Sequence, residues 1–164
     1  MTDDTRTNPA SQGRVAAISI STKRGVPKSN VPVARLVEGW GIEGDAHAGT
    51  WHRQISLLAL ESVKKMRAKG VMVRPGAFAE NITTEFIAIP HLHIGDTLCI
   101  GDTELEITQI GKECHTKCAI FYQAGDCVMP REGVFAIVIR GGEIRVGDEV
   151  RLNSVNATHP MEEI

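Results

Sequence analysis

The sequence lacks an excess of charge of either sign. Its 18 basic and 20 acidic residues give a formal net charge of −2, so there is no strong basic field to hold a nucleic-acid backbone non-specifically. It also lacks a long hydrophobic run, since residues 57–60 and the six apolar residues 134–139 are far too short to cross a bilayer. Residues 1–4 have no apolar core, so we expect no secretory signal. These absences predict a cytoplasmic protein whose partners include neither nucleic acid nor a membrane.

The composition is that of one ordinary globular domain. Hydrophobic residues make up 42% and charged residues 23% of the 164 residues, which disfavours wholesale disorder and suits a single core. Residues 1–12 are polar and predict a flexible N-terminal arm. We expect the folded domain over residues 13–153 and a loose tail over residues 154–164.

The hydrophobic pattern predicts a mainly β fold with one or two helices. The long helical pattern covers residues 55–68, where apolar side chains recur at spacings of three and four, and Gly70 ends it. Residues 97–100 and 105–108 flank a turn typical of a hairpin, with Cys99 as a core residue. Many short strands favour a barrel-like or sandwich-like α+β fold. The predicted strands are residues 15–20, 33–37, 97–100, 105–108, 134–139 and 149–152.

Three of the four cysteines, Cys114, Cys118 and Cys127, lie in what we call the cysteine segment (residues 111–133). In a cytoplasmic protein, thiols or metal ligands are expected rather than disulfides. Lys112 and His115 flank Cys114, and nearby cations stabilise a thiolate, which can attack a sulfur donor, carry a persulfide or bind a soft metal. Three interpretations stay open: inert buried cysteines, a structural zinc site built from the three cysteines and a histidine, or a reactive or metal-ligating thiol.

Two further polar clusters are candidates for ligand binding. The first runs from Asp45 through His47 to Arg53, directly before the predicted helix, where free N–H groups and the helix dipole favour an anionic ligand. The alternative is that Asp45 only makes a turn and the histidines lie on the surface. The second candidate is Asn81, whose amide can both donate to and accept from a ligand. The alternative for Asn81 is a loop cap.

Several short motifs follow one another in a specific order. They are Gly44-Asp45 followed by His47, residues 53–56, residues 75–83, residues 94–96, residues 105–107 with Gln109, and the cysteine segment. In this order and spacing they resemble the MOSC domain, the module at the C-terminus of molybdenum-cofactor sulfurases that also occurs as stand-alone bacterial proteins. The resemblance spans residues 14–152 and is strongest to the stand-alone type.

The resemblance implies a β-barrel-like fold and a cleft with one family-defining cysteine, which carries sulfur or ligates molybdenum. Some relatives bind molybdenum cofactor and reduce N-hydroxylated compounds. On this sequence the cysteine corresponds to Cys118, which would then be the metal ligand, with Cys114 as the alternative. Positive charge and hydrogen bonds to the cofactor would come from a set of polar residues: Lys112, Arg131, Arg53, Asp45, His47, Asn81 and His115.

The resemblance also implies classes of partner. A domain of this kind would receive sulfur from a donor such as a cysteine desulfurase, or would serve a molybdoenzyme or a cofactor-biosynthesis protein. The sequence has no evident site for pyridoxal phosphate. We therefore expect the chain to receive sulfur and not to mobilise it from free cysteine.

Overall fold

Short β strands make up most of the fold. The computed structural model describes residues 11–111 and 132–153. Among them, the helix that packs on the strands is α1 (Leu60–Ala68), and a 3-10 turn covers Ile89–His91. The strands of the described residues are β1 (Gln12–Ile20), β2 (Ser29–Val31), β3 (Val33–Val37), β4 (Gly41–Ile42), β5 (Ile55–Ala59), β6 (Ile82–Glu85), β7 (Thr97–Ile100), β8 (Thr103–Ile110), β9 (Val134–Arg140), β10 (Gly142–Arg145) and β11 (Glu149–Asn153).

Seven of the described strands close into a barrel. The hydrogen-bonded order is β1-β11-β7-β8-β9-β5-β6, and β6 pairs back with β1. Residues 12–14 of β1 pair with β11, whereas residues 18–20 pair with β2. A closed barrel leaves none of its strands with a long free edge. The predicted mainly β, barrel-like fold is therefore confirmed. Within the described residues, no helix is long and apolar enough to cross a membrane.

The connection from β5 through α1 to β6 differs from the prediction. The predicted helix over residues 55–68 is wrong in its first part, because Ile55–Ala59 form β5 and only Leu60–Ala68 are helical. β5 and β6 are parallel, and a parallel pair needs a crossover connection, which contains α1. All five residues of β5 are buried, since the barrel interior covers one face and the layer containing α1 covers the other. Burial on both faces hides the alternation that usually marks a strand.

α1 packs on the outer surface of the barrel. Val63 and Met66 form a second hydrophobic cluster with residues that include Phe135 of β9. The helix ends as predicted, because Gly70 adopts a φ of +90° and its N–H donates to the carbonyl of Arg67 at 3.0 Å. The helix is thus held by the strand β9 that follows the cysteine segment.

The main core fills the barrel interior. On β8, Leu105 and Ile107 point into it and alternate with half-buried glutamates, as the predicted hairpin with β7 requires. The prediction that Cys99 belongs to the core is wrong. Cys99 is half-buried and lies between the fully buried Leu98 and Ile100, so the alternation of β7 turns its thiol away from the interior.

One loop, residues 43–54, bridges two parts of the barrel. The Ala46 N–H donates to the Ser21 carbonyl at 2.8 Å, just after β1. At the other side, the Thr108 hydroxyl of β8 donates to the carbonyl of His52. The loop therefore connects the end of β1 with the end of β8, where the cysteine segment begins.

The strands and the helix do not test where the folded domain was predicted to begin and end. β1 begins at Gln12 and β11 ends at Asn153. Residues 1–10 and 154–164 lie outside the described residues. The N-terminal arm and the C-terminal tail accordingly stay predictions.

Gly76 is a position where a side chain has no space. It has a φ of +96°, and a Cβ atom there would lie 2.6 Å from the Lys28 carbonyl oxygen and 2.8 Å from Ser19 Oγ. We expect Gly76→Ala to lower the free energy of unfolding by about 3 kcal/mol, from backbone strain and overpacking together. Urea unfolding measures this loss. The control is Gly25→Ala, where φ is +75° but nothing lies within 4 Å, so only about 1 kcal/mol should be lost. Equal losses at the two glycines would contradict the steric argument.

Candidate functional site

Part of the predicted site lies outside the described residues. This holds for every predicted residue of the cysteine segment: Lys112, Cys114, His115, Cys118, Cys127 and Arg131. The roles given to them, including the zinc alternative, stay predictions. In residues 11–111 and 132–153 no three His, Cys, Asp or Glu side chains cluster as a metal site would require. The predicted residues that the structure describes are Asp45, His47, Arg53 and Asn81.

The two ends of the cysteine segment lie together. It connects β8 to β9, which are antiparallel neighbours in the barrel, and the Gly111 N–H donates to the Gly133 carbonyl at 2.6 Å. On the far side, Glu132 accepts hydrogen bonds from the Ser62 hydroxyl and from Lys65 Nζ, the latter at 2.8 Å. The segment therefore leaves and re-enters the barrel at one place, beside the loop of residues 43–54.

Arg53 lies at this place and is held by Gln109. Arg53 Nε donates to Gln109 Oε1 at 2.9 Å, and the same oxygen lies 2.8 Å from His52 Nε2. Gln109 Nε2 donates to the carbonyl of Gly111 at 2.9 Å. The guanidinium of Arg53 also lies 5.1 Å from the ring centre of Phe135, a favourable cation–π distance. A half-buried cation is thus fixed next to the first end of the cysteine segment.

Asp45 belongs to a buried ion pair. Lys28 is 0% exposed, and its Nζ donates to Asp45 Oδ1 at 2.8 Å and to Ser21 Oγ at 2.9 Å. Asp45 also accepts the backbone N–H of Ser21 and that of His47, each at 3.0 Å. His47 is buried as well, with Nδ1 3.8 Å from Asp45 Oδ2. The carboxylate therefore organises the loop and neutralises a lysine in the interior.

Two opposing effects act on the pKa of Asp45. Burial is the largest single effect and raises its pKa. The hydrogen bond from Lys28, the two backbone N–H groups and the charge of Lys28 together outweigh burial, so the pKa lies below its ordinary value. Asp45 is consequently a carboxylate at neutral pH, paired with Lys28.

The side-chain amide of Asn81 makes hydrogen bonds within the protein. Its Oδ1 accepts the Ser56 N–H at 3.0 Å, and its Nδ2 donates to the Ser19 carbonyl at 3.1 Å. Asn81 is 0% exposed. It therefore joins β1 and β5 beside the start of β6, and a contact with a ligand stays a prediction.

Glu80 is a second buried carboxylate, and sequence reasoning assigned it no role. Its oxygens accept the N–H groups of Gly76 at 2.7 Å and Phe78 at 3.1 Å and the hydroxyl of Thr83 at 2.9 Å. Burial raises its pKa above the ordinary value, although each of these donors lowers it. Because the donors are uncharged, Glu80 holds the 76–79 turn in place without neutralising a cation.

Trp51 connects His47 with His52. Its Nε1 donates to the His47 carbonyl at 2.9 Å, and its ring lies edge-on to the His52 ring at 5.9 Å between centroids. The guanidinium of Arg24 lies 4.7 Å from the Trp51 ring. The structure thus places Asp45, His47 and Arg53 in one loop, where Asp45 and His47 are buried and Arg53 is half-buried, while Asn81 is internal.

Sequence reasoning missed the two residues that bind Asp45 and Arg53. Lys28 pairs with Asp45 across 17 positions, and Gln109 contacts Arg53 across 56 positions. Gln109 was part of the motif pattern, which was the available signal for it. Lys28 stands in a loop with no local pattern that would indicate burial.

The closed barrel with its external helix defines the chain as a small β-barrel domain. The MOSC domain family model matches residues 44–151, more than half of the chain. The chain belongs to the MOSC domain family. No curated protein matches it in sequence.

Solved structures share the fold. YuaD from Bacillus subtilis superposes with a TM-score of 0.73 at 17% identity, over 86% of this chain and 95% of that one. YiiM from Geobacillus stearothermophilus gives 0.64 at 18%, over 86% and 75%. YiiM from Escherichia coli gives 0.59 at 17%, over 85% and 69%. At these identities the likeness concerns the fold.

The Lys28–Asp45 pair predicts a non-additive loss of stability. Lys28→Met or Asp45→Asn alone leaves one buried group without its charged partner, so each should cost about 3 kcal/mol of unfolding free energy. The double variant should lose clearly less than the sum, because no lone charge remains. Urea unfolding of the four proteins measures the coupling. Glu104→Gln, in the exposed Arg140 pair, is the control and should cost under about 1 kcal/mol. Strict additivity at Lys28 and Asp45 would contradict the pairing.

Proposed function

We propose that this MOSC-domain protein binds molybdenum cofactor, or a similar anionic pterin phosphate, and presents a thiol of the cysteine segment to it or to a sulfur donor. The observation that carries the proposal is the position of Arg53. Its cationic side chain is half-buried and is bound through Gln109 to Gly111, from which the cysteine segment starts. Cys114 follows Gly111 by three residues in the sequence, which favours a thiol close to a fixed positive charge.

The described residues fit an anionic ligand at Arg53 better than at Lys28. Lys28 is buried and neutralised by Asp45, so it offers little charge to a phosphate or oxo group. Arg53 binds an uncharged amide and an aromatic ring, so its charge is retained. A guanidinium can bind phosphate through two parallel hydrogen bonds. Arg53 would hold the anionic part of the ligand, and Cys118, or Cys114, would ligate the metal.

When bound, the cofactor would supply the metal-centred chemistry. The part of this chain is to bind and orient the ligand and to keep a thiol in its reactive form. A nearby cation stabilises a thiolate relative to the thiol, and the thiolate is both the nucleophile and the metal ligand. The relation to molybdenum-cofactor metabolism, or to reduction of N-hydroxylated compounds, is part of the proposal.

Sulfur carriage uses the same thiol. The thiolate attacks the outer sulfur of a donor persulfide, such as one on a cysteine desulfurase. A new S–S bond forms, the S–S bond of the donor breaks, and the donor cysteine leaves as a thiolate. The product is a persulfide on this chain, which a molybdoenzyme or a cofactor-biosynthesis protein would then accept.

Cofactor binding predicts a metal content that depends on one thiol. Protein purified from a cofactor-competent host should contain molybdenum and pterin in near-equal amounts, both measured by mass spectrometry. Cys118→Ala should lose most of the molybdenum, because a thiolate ligand is removed. Cys99→Ala removes the half-buried thiol of β7 and should leave the content unchanged. Wild-type protein with neither component, and no binding on reconstitution, would contradict the cofactor proposal.

Sulfur carriage predicts a change in intact mass. Exposure to a cysteine desulfurase and its substrate should add the mass of one sulfur atom to most wild-type molecules, and a reductant should remove it. Parallel Cys114→Ala and Cys118→Ala variants identify the acceptor, since one of them should lose the addition. Cys99→Ala is the matched control. Added sulfur on none of these proteins, or equal addition to both cysteine-segment variants, would overturn the assignment.

A further inference from the structure

We infer that Gln109 is the positioning residue of the anion site, an inference that rests on the proposed function. Three contacts meet on this one amide. Its Oε1 accepts from Arg53 Nε at 2.9 Å and lies 2.8 Å from His52 Nε2, and its Nε2 donates to the Gly111 carbonyl at 2.9 Å. The amide therefore ties two basic side chains to the first end of the cysteine segment.

The hydrogen-bond partners of the oxygen and of the nitrogen of the Gln109 amide both determine its orientation. The Gly111 carbonyl can only accept a hydrogen bond, so it selects the NH2 group of the amide. Arg53 Nε can only donate, so it selects the oxygen. Both demands agree, and the reversed amide would place a donor against a donor and an acceptor against an acceptor. Gln109 thus has one orientation that satisfies its neighbours.

This orientation assigns a proton to His52. Gln109 Oε1 is an acceptor, so His52 Nε2 at 2.8 Å carries a hydrogen in this contact. The neutral ring then has its lone pair on Nδ1. Gln109 consequently sets the tautomer of His52, together with the direction of its ring.

Arg53 is left with one edge for a ligand. Its Nε is used by Gln109, and the Phe135 ring lies 5.1 Å from its guanidinium carbon. In the described parts of the chain, no side chain accepts a hydrogen bond from the two terminal nitrogens of Arg53. These nitrogens form the edge that binds phosphate or other tetrahedral oxyanions in pairs of hydrogen bonds.

A β-bulge makes this arrangement possible. The register between β8 and β9 shifts between Ile107 and Gln109, so that Thr108 is an extra residue opposite the neighbouring strand. In a regular strand, the consecutive side chains of Thr108 and Gln109 would point to opposite faces. Here Thr108 bonds the carbonyl of His52, while Gln109 contacts the side chains of His52 and Arg53. Bulges of this kind redirect side chains and recur beside functional sites.

The test is a double-mutant cycle on oxyanion binding. Inorganic phosphate and molybdate are the probes, and isothermal titration calorimetry gives the dissociation constants. Gln109→Met keeps the length of the side chain but removes its hydrogen bonds, so we expect about tenfold weaker binding. Arg53→Met should weaken binding at least as much. In the Arg53→Met background, Gln109→Met should have little further effect, because Gln109 acts through Arg53.

Controls separate positioning from stability. Glu106 lies on the same strand, opposite Thr97 of β7 and Ile137 of β9, so Glu106→Ala should bind the probes as the wild type does. If Gln109→Met does not fold, Gln109→Ala enters the same cycle, since it removes the same hydrogen bonds without adding a charge beside Arg53. Independent, multiplying effects of the two substitutions, or unchanged binding in the Gln109 variant, would overturn the positioning role and leave the proposed function standing. A wild type that binds neither probe would overturn both the positioning role and the anionic-ligand part of the proposed function.

Discussion

Backbone pairing between β1 and β11 closes the barrel. The position of the polar loop of residues 43–54 depends on that closure. Residues 12–14 of β1 pair with β11, while the far end of β1 supplies the backbone groups that two polar side chains bind. Asn81 donates to the Ser19 carbonyl, and Asp45 accepts the N–H of Ser21. Because β1 is paired with β6 as well as with β11, the Asp45 bond connects the loop of residues 43–54 to the end of a strand that is hydrogen-bonded on both sides. The loop can therefore present Arg53 at a defined place.

The roles of Lys28 and Arg53 depend on which group accepts their hydrogen bonds. Lys28 meets a carboxylate, so its charge is cancelled and the pair serves the structure. Arg53 meets the amide of Gln109, which orients a guanidinium without cancelling its charge. The two cations therefore take different roles. A glutamine in place of an acid is thus the chemical difference that leaves the positive charge available beside the cysteine segment.

Whether an element could be predicted from the sequence depended on how its residues are buried in the folded protein. The hairpin of β7 and β8 alternates between buried and half-buried residues, so its pattern is visible in the sequence. β5 is buried on both faces, and its apolar residues match a helical spacing as well as a strand. The same alternation that revealed the hairpin also turns Cys99 outward, which the composition of β7 did not indicate. For the cysteine segment the predictions of Cys114 and Cys118 stand as predictions.

The sequence by itself determined that the fold is mainly β, that three of the four cysteines are concentrated in one segment, and that the motifs follow the order of the MOSC family. It also marked Asp45, His47 and Arg53 as one polar cluster. Only the tertiary structure decided that Lys28 is the partner of Asp45 and that Gln109 holds Arg53. These partners are 17 and 56 positions apart, and such contacts form only where the closed barrel brings the ends of distant strands together. Local sequence patterns carry information about neighbouring residues, whereas the charge of this site depends on which distant side chains meet.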